Sequence, residues 1–515
     1  MVKQSQMGGR VGNVIKNTML ALVNNVLPYA LRFFARYVFV VYFGDTLLGI
    51  NSLFADVVML FSFAEMGIYA AISFFLYKPI AEGDYETTQS LLALYRKCNI
   101  VIIVAVSVVG LGFLPFLDLI KMQEPVPDLW KYYLVFLAQN ILSYFFAYRN
   151  AYLSAAQKAY KVSFISIFIT IACVVLQIVV TVLTRSFMAY LLTDLGLNIL
   201  KVFWTNHYII THYPETRFNN PKPLEKPIKK QFFSKVRSLF AIRLANLGIS
   251  QTDSIIVSTM VDVVQWGYVS NYLSIKKVGQ MAVSAFSLSV LPSLGNLTAT
   301  EEREKQIHVF KLYTVVNAWL CLNFFAGMVI LVPPLIAMIF GETRLLDHLT
   351  CFLLFFNVLY NGLLDASNVL REARGLFQED LPLTIAAFVG NLVASLLLVL
   401  AFGLPGVFLG TLVSTTIMYA RPYMIWKRVF GEKNFYYYQV AFITIAEALI
   451  AYGILQFAIM PVIWSWQSNL IGFFVMAVVT VAVTNIVFLL TNLRNPQVRS
   501  IIELVFGKIA KKEQA

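Results

Sequence analysis

Arg32 and Arg36 stand one helical turn apart inside the apolar stretch 18–43. A guanidinium at membrane depth costs about 3 kcal/mol or more unless it faces a polar cavity or a counter-charge, so a helix carrying two of them points at something anionic. Measured from an outer turn at Gly44–Gly49, Arg36 and Asp56 each lie about seven residues in, roughly 10 Å deep at 1.5 Å per residue. They are level and could pair. Arg32 is one turn deeper, and Glu65 is nearer the middle of the membrane. Later in the chain Asp253 is level with Lys276 and Lys277, and Arg243 lies near the inner end of its helix. These groups could be neutralised pairs that fix helix packing, Arg36 with Asp56 first among them. Against that, the first seven comprise four cations and three acids, and Arg243 adds a fifth cation. A surplus of buried positive charge calls for a mobile anion.

Composition shows which elements must carry these groups. Hydrophobic residues make up 59% of 515 and charged residues 13%, with mean hydropathy +0.72, far from the balance of a soluble domain. The chain therefore reads as an all-α, polytopic membrane protein. A hydrocarbon core about 30 Å thick needs roughly 20 apolar residues per helix. About fourteen such segments are predicted, at 18–43, 50–77, 99–121, 129–153, 162–183, 186–206, 236–260, 266–294, 311–339, 346–370, 381–403, 405–427, 437–458 and 469–492. Barrel strands would alternate apolar and polar residues, whereas Val101–Val106 is apolar on every face.

Lys and Arg set the orientation. With a cytoplasmic N-terminus, the even-numbered loops and both tails hold 29 of the 40 basic residues, and the odd-numbered loops hold four: Lys121, Lys131, Arg185 and Arg344. Both termini are then cytoplasmic, with the cytoplasmic membrane of a bacterium as the location. The net charge of +13 follows from topology and anionic lipid surfaces, so no nucleic-acid partner is required.

Cys98, Cys173, Cys321 and Cys351 lack CxxC spacing and read as core residues. The four histidines are unclustered, so no metal site is expected. No A-x-A-like cleavage site closes the first apolar stretch, which is expected to stay as a helix. Walker loops, nucleophile elbows and paired catalytic carboxylates on a soluble domain are absent from the sequence, and every outer loop is short. A membrane polymerase or ligase, the rival from the enzyme class, usually carries a large outer loop, so a non-enzyme is expected. Arg149 reads as a snorkelling residue and Glu447 as a packing or proton-linked acid. Trp130, Trp266, Trp464 and Trp466 read as interfacial anchors.

A proline-marked hydrophilic stretch, 212–235, separates six helices from eight. The expected organisation is an N-lobe at 1–211, a cytoplasmic linker at 212–235, a C-lobe at 236–436, and helices thirteen and fourteen with a cytoplasmic tail at 437–515. A short echo links the halves. Gly49-Ile50-Asn51-Ser52 and Gly267-Tyr268-Val269-Ser270 each follow an outer turn, with six helices between them, as parallel repeats require.

Several blocks resemble a known family. They are Leu47–Phe54, Leu76–Tyr85, Thr252–Ser258, Gly267–Tyr272, Glu372–Phe377 and Gly406–Thr411, in order from about residue 13 to 435. They are similar to the polysaccharide transporter family, the Wzx-type oligosaccharide flippases of the multidrug/oligosaccharidyl-lipid/polysaccharide exporter (MOP) superfamily. The resemblance implies a fourteen-helix, two-lobed, V-shaped exporter. Its cargo would be an undecaprenyl-diphosphate-linked oligosaccharide repeat unit, moved from the inner to the outer leaflet for capsule, exopolysaccharide or O-antigen-type polysaccharide. The family's first-helix arginine maps onto Arg36, and the Asp of its T-D-x-I-I motif onto Asp253. The family pattern is apolar at Lys276 and Lys277, so those two would be particular to this cargo. A polysaccharide polymerase and other assembly proteins are the implied partners, beside the lipid bilayer. The expected mechanism is alternating access, with Arg32, Arg36, Arg243, Lys276 and Lys277 meeting the diphosphate. Asp56, Glu65 and Asp253 would act as counter-charges or coupling acids. No cofactor is expected beyond a coupling proton or sodium ion. The alternatives are a lipid II flippase and a cation-coupled multidrug antiporter, the latter calling for an acid-dominated cavity.

Overall fold

The computed structural model describes residues 2–61, 63–156, 158–217, 221, 224, 226–280, 302–374, 376–431, 435–463 and 470–500; the side chains of 2–30 and 241–247 are outside the described set. The described residues form helices and no strand. In order these are α1 (Val2–Phe61), α2 (Phe63–Glu82), α3 (Tyr85–Gly112), α4 (Leu129–Tyr144), α5 (Ala147–Ala155), α6 (Tyr160–Thr184), α7 (Phe187–His212) and α8 (Lys226–Ile256). Next come α9 (263–280), α10 (Arg303–Phe340), α11 (His348–Leu363), α12 (Asp365–Arg374) and α13 (Phe377–Phe402). The last are α14 (Leu404–Met418), α15 (Ala420–Phe430), α16 (Tyr436–Gly453), α17 (Met460–Ile463) and α18 (Leu470–Asn492). Among the described residues, nine helices are long and apolar enough to cross a membrane.

Each predicted span is largely helical where it is described, with breaks at 113, 120–121, 145–146, 364 and 419. The prediction at 266–294 runs beyond the described residues at 281. The chain divides into two compact units, Met1–Ser270 and Asn271–Ala515, and the division falls within α9.

Hydrocarbon rather than water surrounds the helices, so their apolar faces can point outward. On α18, Ile471, Phe474 and Val478 are 72%, 67% and 68% exposed, while Met476, Thr480 and Thr484 are buried. This is the reverse of a soluble helix, whose apolar stripe faces the core. Thr480 and Thr484 return their hydroxyls to the carbonyls of Met476 and Thr480, both at 2.7 Å, which leaves no polar group bare on the buried face.

In the first unit a cluster of Ile72, Leu76, Leu92, Tyr95, Tyr148, Tyr152 and Phe232 joins α2, α3, α5 and α8. In the second, Phe310, Val369, Leu370, Ile425 and Phe430 join α10, α12 and α15. The α13–α14 pair packs backbone to backbone. A Cβ on Gly406 would lie 2.1 Å from the Leu398 carbonyl oxygen, and one on Gly410 2.5 Å from the Ser395 nitrogen. Small residues at such a crossing let membrane helices approach closely, which gives the Gly406–Thr411 block a packing reason.

Candidate functional site

The first unit builds its polar site around a break in α1. Gly44 adopts φ 76°, ψ −178° inside an otherwise continuous helix, a conformation essentially reserved for glycine. The kink turns the chain so that Arg36, before it, and Ser52, after it, meet. Arg36 donates to the Ser52 hydroxyl at 3.1 Å and to the Ser270 hydroxyl. Ser52 in turn donates to Ser270 at 2.9 Å.

The two copies of the Gly-x-x-Ser echo are thus physically joined. A Cβ on Gly49 would lie 2.0 Å from the Val263 carbonyl oxygen, and one on Gly267 3.0 Å from the Gly49 nitrogen. The glycines let the backbones touch, and the serines three residues on then share one guanidinium. Two further bonds fasten the same crossing: Trp266 Nε1 donates to Asp56 at 3.0 Å and the Tyr268 hydroxyl to Asp45 at 3.3 Å. Trp266, expected as an interfacial anchor, is only 3% exposed, and its indole N–H serves the half-buried Asp56 carboxylate.

Asp56 acts electrostatically on Arg36 while also accepting from Trp266. One turn deeper, Arg32 lies 4.0 Å from Asp194, with the arginine side chain 60% exposed and the aspartate 20%. Asp194 also accepts from Asn198 Nδ2 at 3.2 Å and from the Cys173 thiol at 3.0 Å. Lys201 shares the electrostatic environment of Arg32 and Asp194. Asp194, Asn198 and Lys201 follow i, i+4, i+7 spacing and so share one face of α7.

The other expected site residues are distributed as follows. Glu65, in the first turn of α2, accepts from the Tyr95 hydroxyl at 3.5 Å. Asp253 is buried in α8. Lys276 is half-buried and Lys277 exposed on the part of α9 that belongs to the second unit. The Arg243 side chain lies outside the described residues. Arg149 does not snorkel: it is 8% exposed, donates to Asn206 and lies against the Tyr148 and Phe146 rings at 4.9 and 5.6 Å.

Asp194 and Lys201 were missed from sequence. The signal was present as an i, i+4, i+7 polar stripe in an apolar helix, but the partner of Asp194 is on α1, far away along the chain. Glu447 is 1% exposed, accepting from Asn492 Nδ2 at 2.5 Å and from Thr491. Among the described residues no group of three or more His, Cys, Asp or Glu side chains could hold a metal ion.

No family model matches the sequence, and a search of curated proteins finds no match. Solved structures do match. The lipid II flippase MurJ in an inward closed conformation aligns with a TM-score of 0.67 and 13% identity, over 94% of this chain and 100% of that one. An inward-facing multidrug resistance MATE family transporter of the MOP superfamily gives 0.55 at 15% identity, over 80% and 94%. A mutant of the Vibrio cholerae MATE transporter VcmN gives 0.52 at 13% identity, over 82% and 100%. At these identities the likeness carries the fold alone: a multi-pass, all-helical membrane protein with an architecture like that of these solved structures.

Proposed function

We propose that this protein is a flippase for undecaprenyl-diphosphate-linked oligosaccharide units, moving them from the inner to the outer leaflet of a bacterial cytoplasmic membrane by alternating access. The observation that carries this reading is the pair of arginines on one face of α1. Arg36 is held by two hydroxyls beside the Asp56 carboxylate, and Arg32 keeps most of its surface exposed with Asp194 at the limit of an ion pair. A nearby ammonium, Lys201, tilts the deeper position basic. A guanidinium at membrane depth that keeps most of its surface exposed, as Arg32 does, suits an anionic diphosphate, while the isoprenoid tail can stay in lipid.

In this proposal Arg32, Arg36, Arg243, Lys276 and Lys277 meet the diphosphate. Asp56, Glu65 and Asp253 are the counter-charges or the acids that couple to a proton or sodium ion. The lobes are 1–211 and 236–436, joined by the linker 212–235 and followed by the appendage 437–515. Both termini are cytoplasmic, and a polysaccharide polymerase is a partner.

Replacing Arg32 and Arg36 together with Gln tests this. Surface polysaccharide should be lost while the protein level in the membrane is unchanged; normal export at normal protein level refutes the role. The match to MurJ favours a second reading, with lipid II as the cargo. Under that reading, loss of the gene stops cell-wall synthesis, whereas under the first it removes only surface polysaccharide. The basic tilt around Arg32 disfavours an antiporter of cationic drugs.

A further inference from the structure

The first unit holds a second polar cavity, distinct from the Arg36 crossing and nearer the end of α7. It has a volume of about 290 Å³ and is bounded by α2, α4, α5, α6 and α7, with Asn150, Ser163, Ser166, Lys201, Thr205 and Asn206 among its lining side chains. This approaches the lower end of small-ligand pockets, which start at about 300 Å³, and far exceeds the roughly 30 Å³ of a water molecule.

The lining is rich in hydroxyls and amides, and among the described residues no carboxylate contributes to it. Its formal charge comes from Lys201. Arg149 stands behind Asn206, to which it donates, and its Nε is buried without a hydrogen-bond partner. One cation lining the cavity and a second behind its wall, with Asp194 the acid that acts on Lys201 along α7, are costly to bury without a further anion. A tetrahedral oxyanion answers that cost, because it accepts several hydrogen bonds at once from an ammonium, amides and hydroxyls. The remaining volume accommodates a neutral polar substituent on it.

We propose that this cavity binds a phosphate group, with Lys201 as the charged contact, Asn206, Thr205 and the α6 serines as neutral donors, and Arg149 positioning Asn206. The phosphate belongs either to a phospholipid headgroup or to a soluble phosphate, and the chemistry of recognition is the same. The inference does not depend on the cargo, because it concerns binding to the resting protein.

The test uses the purified full-length chain. In one arm, inorganic phosphate is titrated while the thermal unfolding midpoint is followed. In the other, phosphatidylglycerol retained after exchange into phosphatidylcholine nanodiscs is counted by native mass spectrometry. A saturable rise in the midpoint identifies a soluble phosphate, and stoichiometric retention of phosphatidylglycerol identifies a headgroup; either supports the proposal. Lys201→Gln should weaken the positive arm roughly ten-fold or more, as loss of a charged donor does. Ser166→Ala, a small change that spares the helix, should weaken it less. Arg36→Gln alone should leave it unchanged, because Arg32 but not Arg36 acts on Lys201, so failure of the export reading leaves this result standing. The proposal is overturned if neither arm responds, if Lys201→Gln and Ser166→Ala both bind like wild type, or if Arg36→Gln abolishes the response.

Discussion

Arg36, Ser52 and Ser270 form a network in which one guanidinium is stabilised by hydroxyls from two separate parts of the chain. A hydrogen bond to a charged group is worth about 1.5–3 kcal/mol, so Ser52→Ala with Ser270→Ala should lower the thermal midpoint of the purified protein. Because all three residues share one network, a cycle with Arg36→Gln should be non-additive by about 0.5–3 kcal/mol; strict additivity would mean that the network is not energetically coupled. The echo of Gly-x-x-Ser was legible in the sequence, and its consequence, that the two serines touch, was not, since spacing along a chain carries no distance across it. Arg36 and Asp56 were expected level and are electrostatic neighbours. The bond from Trp266 to Asp56 emerged only from coordinates, because an indole at a predicted helix end looks the same whether it anchors in the interface or serves an acid.

Helix breaks set the positions of these residues. Gly44→Ala would force a Cβ into a φ of +76°, at a cost of about 1–3 kcal/mol, and should reduce stability without filling any space. Gly49→Leu should be more damaging, since even its Cβ collides with the Val263 carbonyl; folded yield in membranes is the readout. In the second unit three elements are tied by one buried acid. Asp380 of α13 meets Arg421 of α15 at 2.6 Å and Arg371 of α12, while Asn368 takes a second Arg421 donor at 2.6 Å. Asp380 and Arg421 are 3% and 4% exposed. Asp380→Asn takes the buried carboxylate from Arg421 and leaves Arg371 to Glu372 at 3.5 Å, and should cost about 3–5 kcal/mol, measured as lost folded protein. Long apolar runs made the spans readable, and the interruptions at 145–146, Leu364 and Tyr419 were not. The residues at those breaks are themselves apolar or aromatic (Phe145, Phe146, Leu364 and Tyr419), so no turn residue marks them in the sequence.

For the molecule as a whole, charge sorting was the most legible property, because lipid imposes it on the sequence directly. The expected arrangement of both termini on the cytoplasmic side is checked by reporter fusions. Alkaline phosphatase should be inactive at either end and a cytoplasmic fluorescent reporter active; the opposite pattern at one end would mean an odd number of crossings. The fold was readable because the helix periodicity and length rules act locally. The cargo was not, since a ligand is recognised by a few side chains whose company is decided only by tertiary structure.

The most direct measurement reconstitutes the protein in liposomes with an undecaprenyl-diphosphate-linked oligosaccharide and follows accessibility of the glycan to an external glycosidase. Protein-dependent exposure of glycan from the inner leaflet, abolished by the Arg32→Gln and Arg36→Gln pair, is the predicted result. Glycan exposure no faster than in protein-free vesicles, or equally fast in the double variant, would contradict the role of the arginine ladder in translocation.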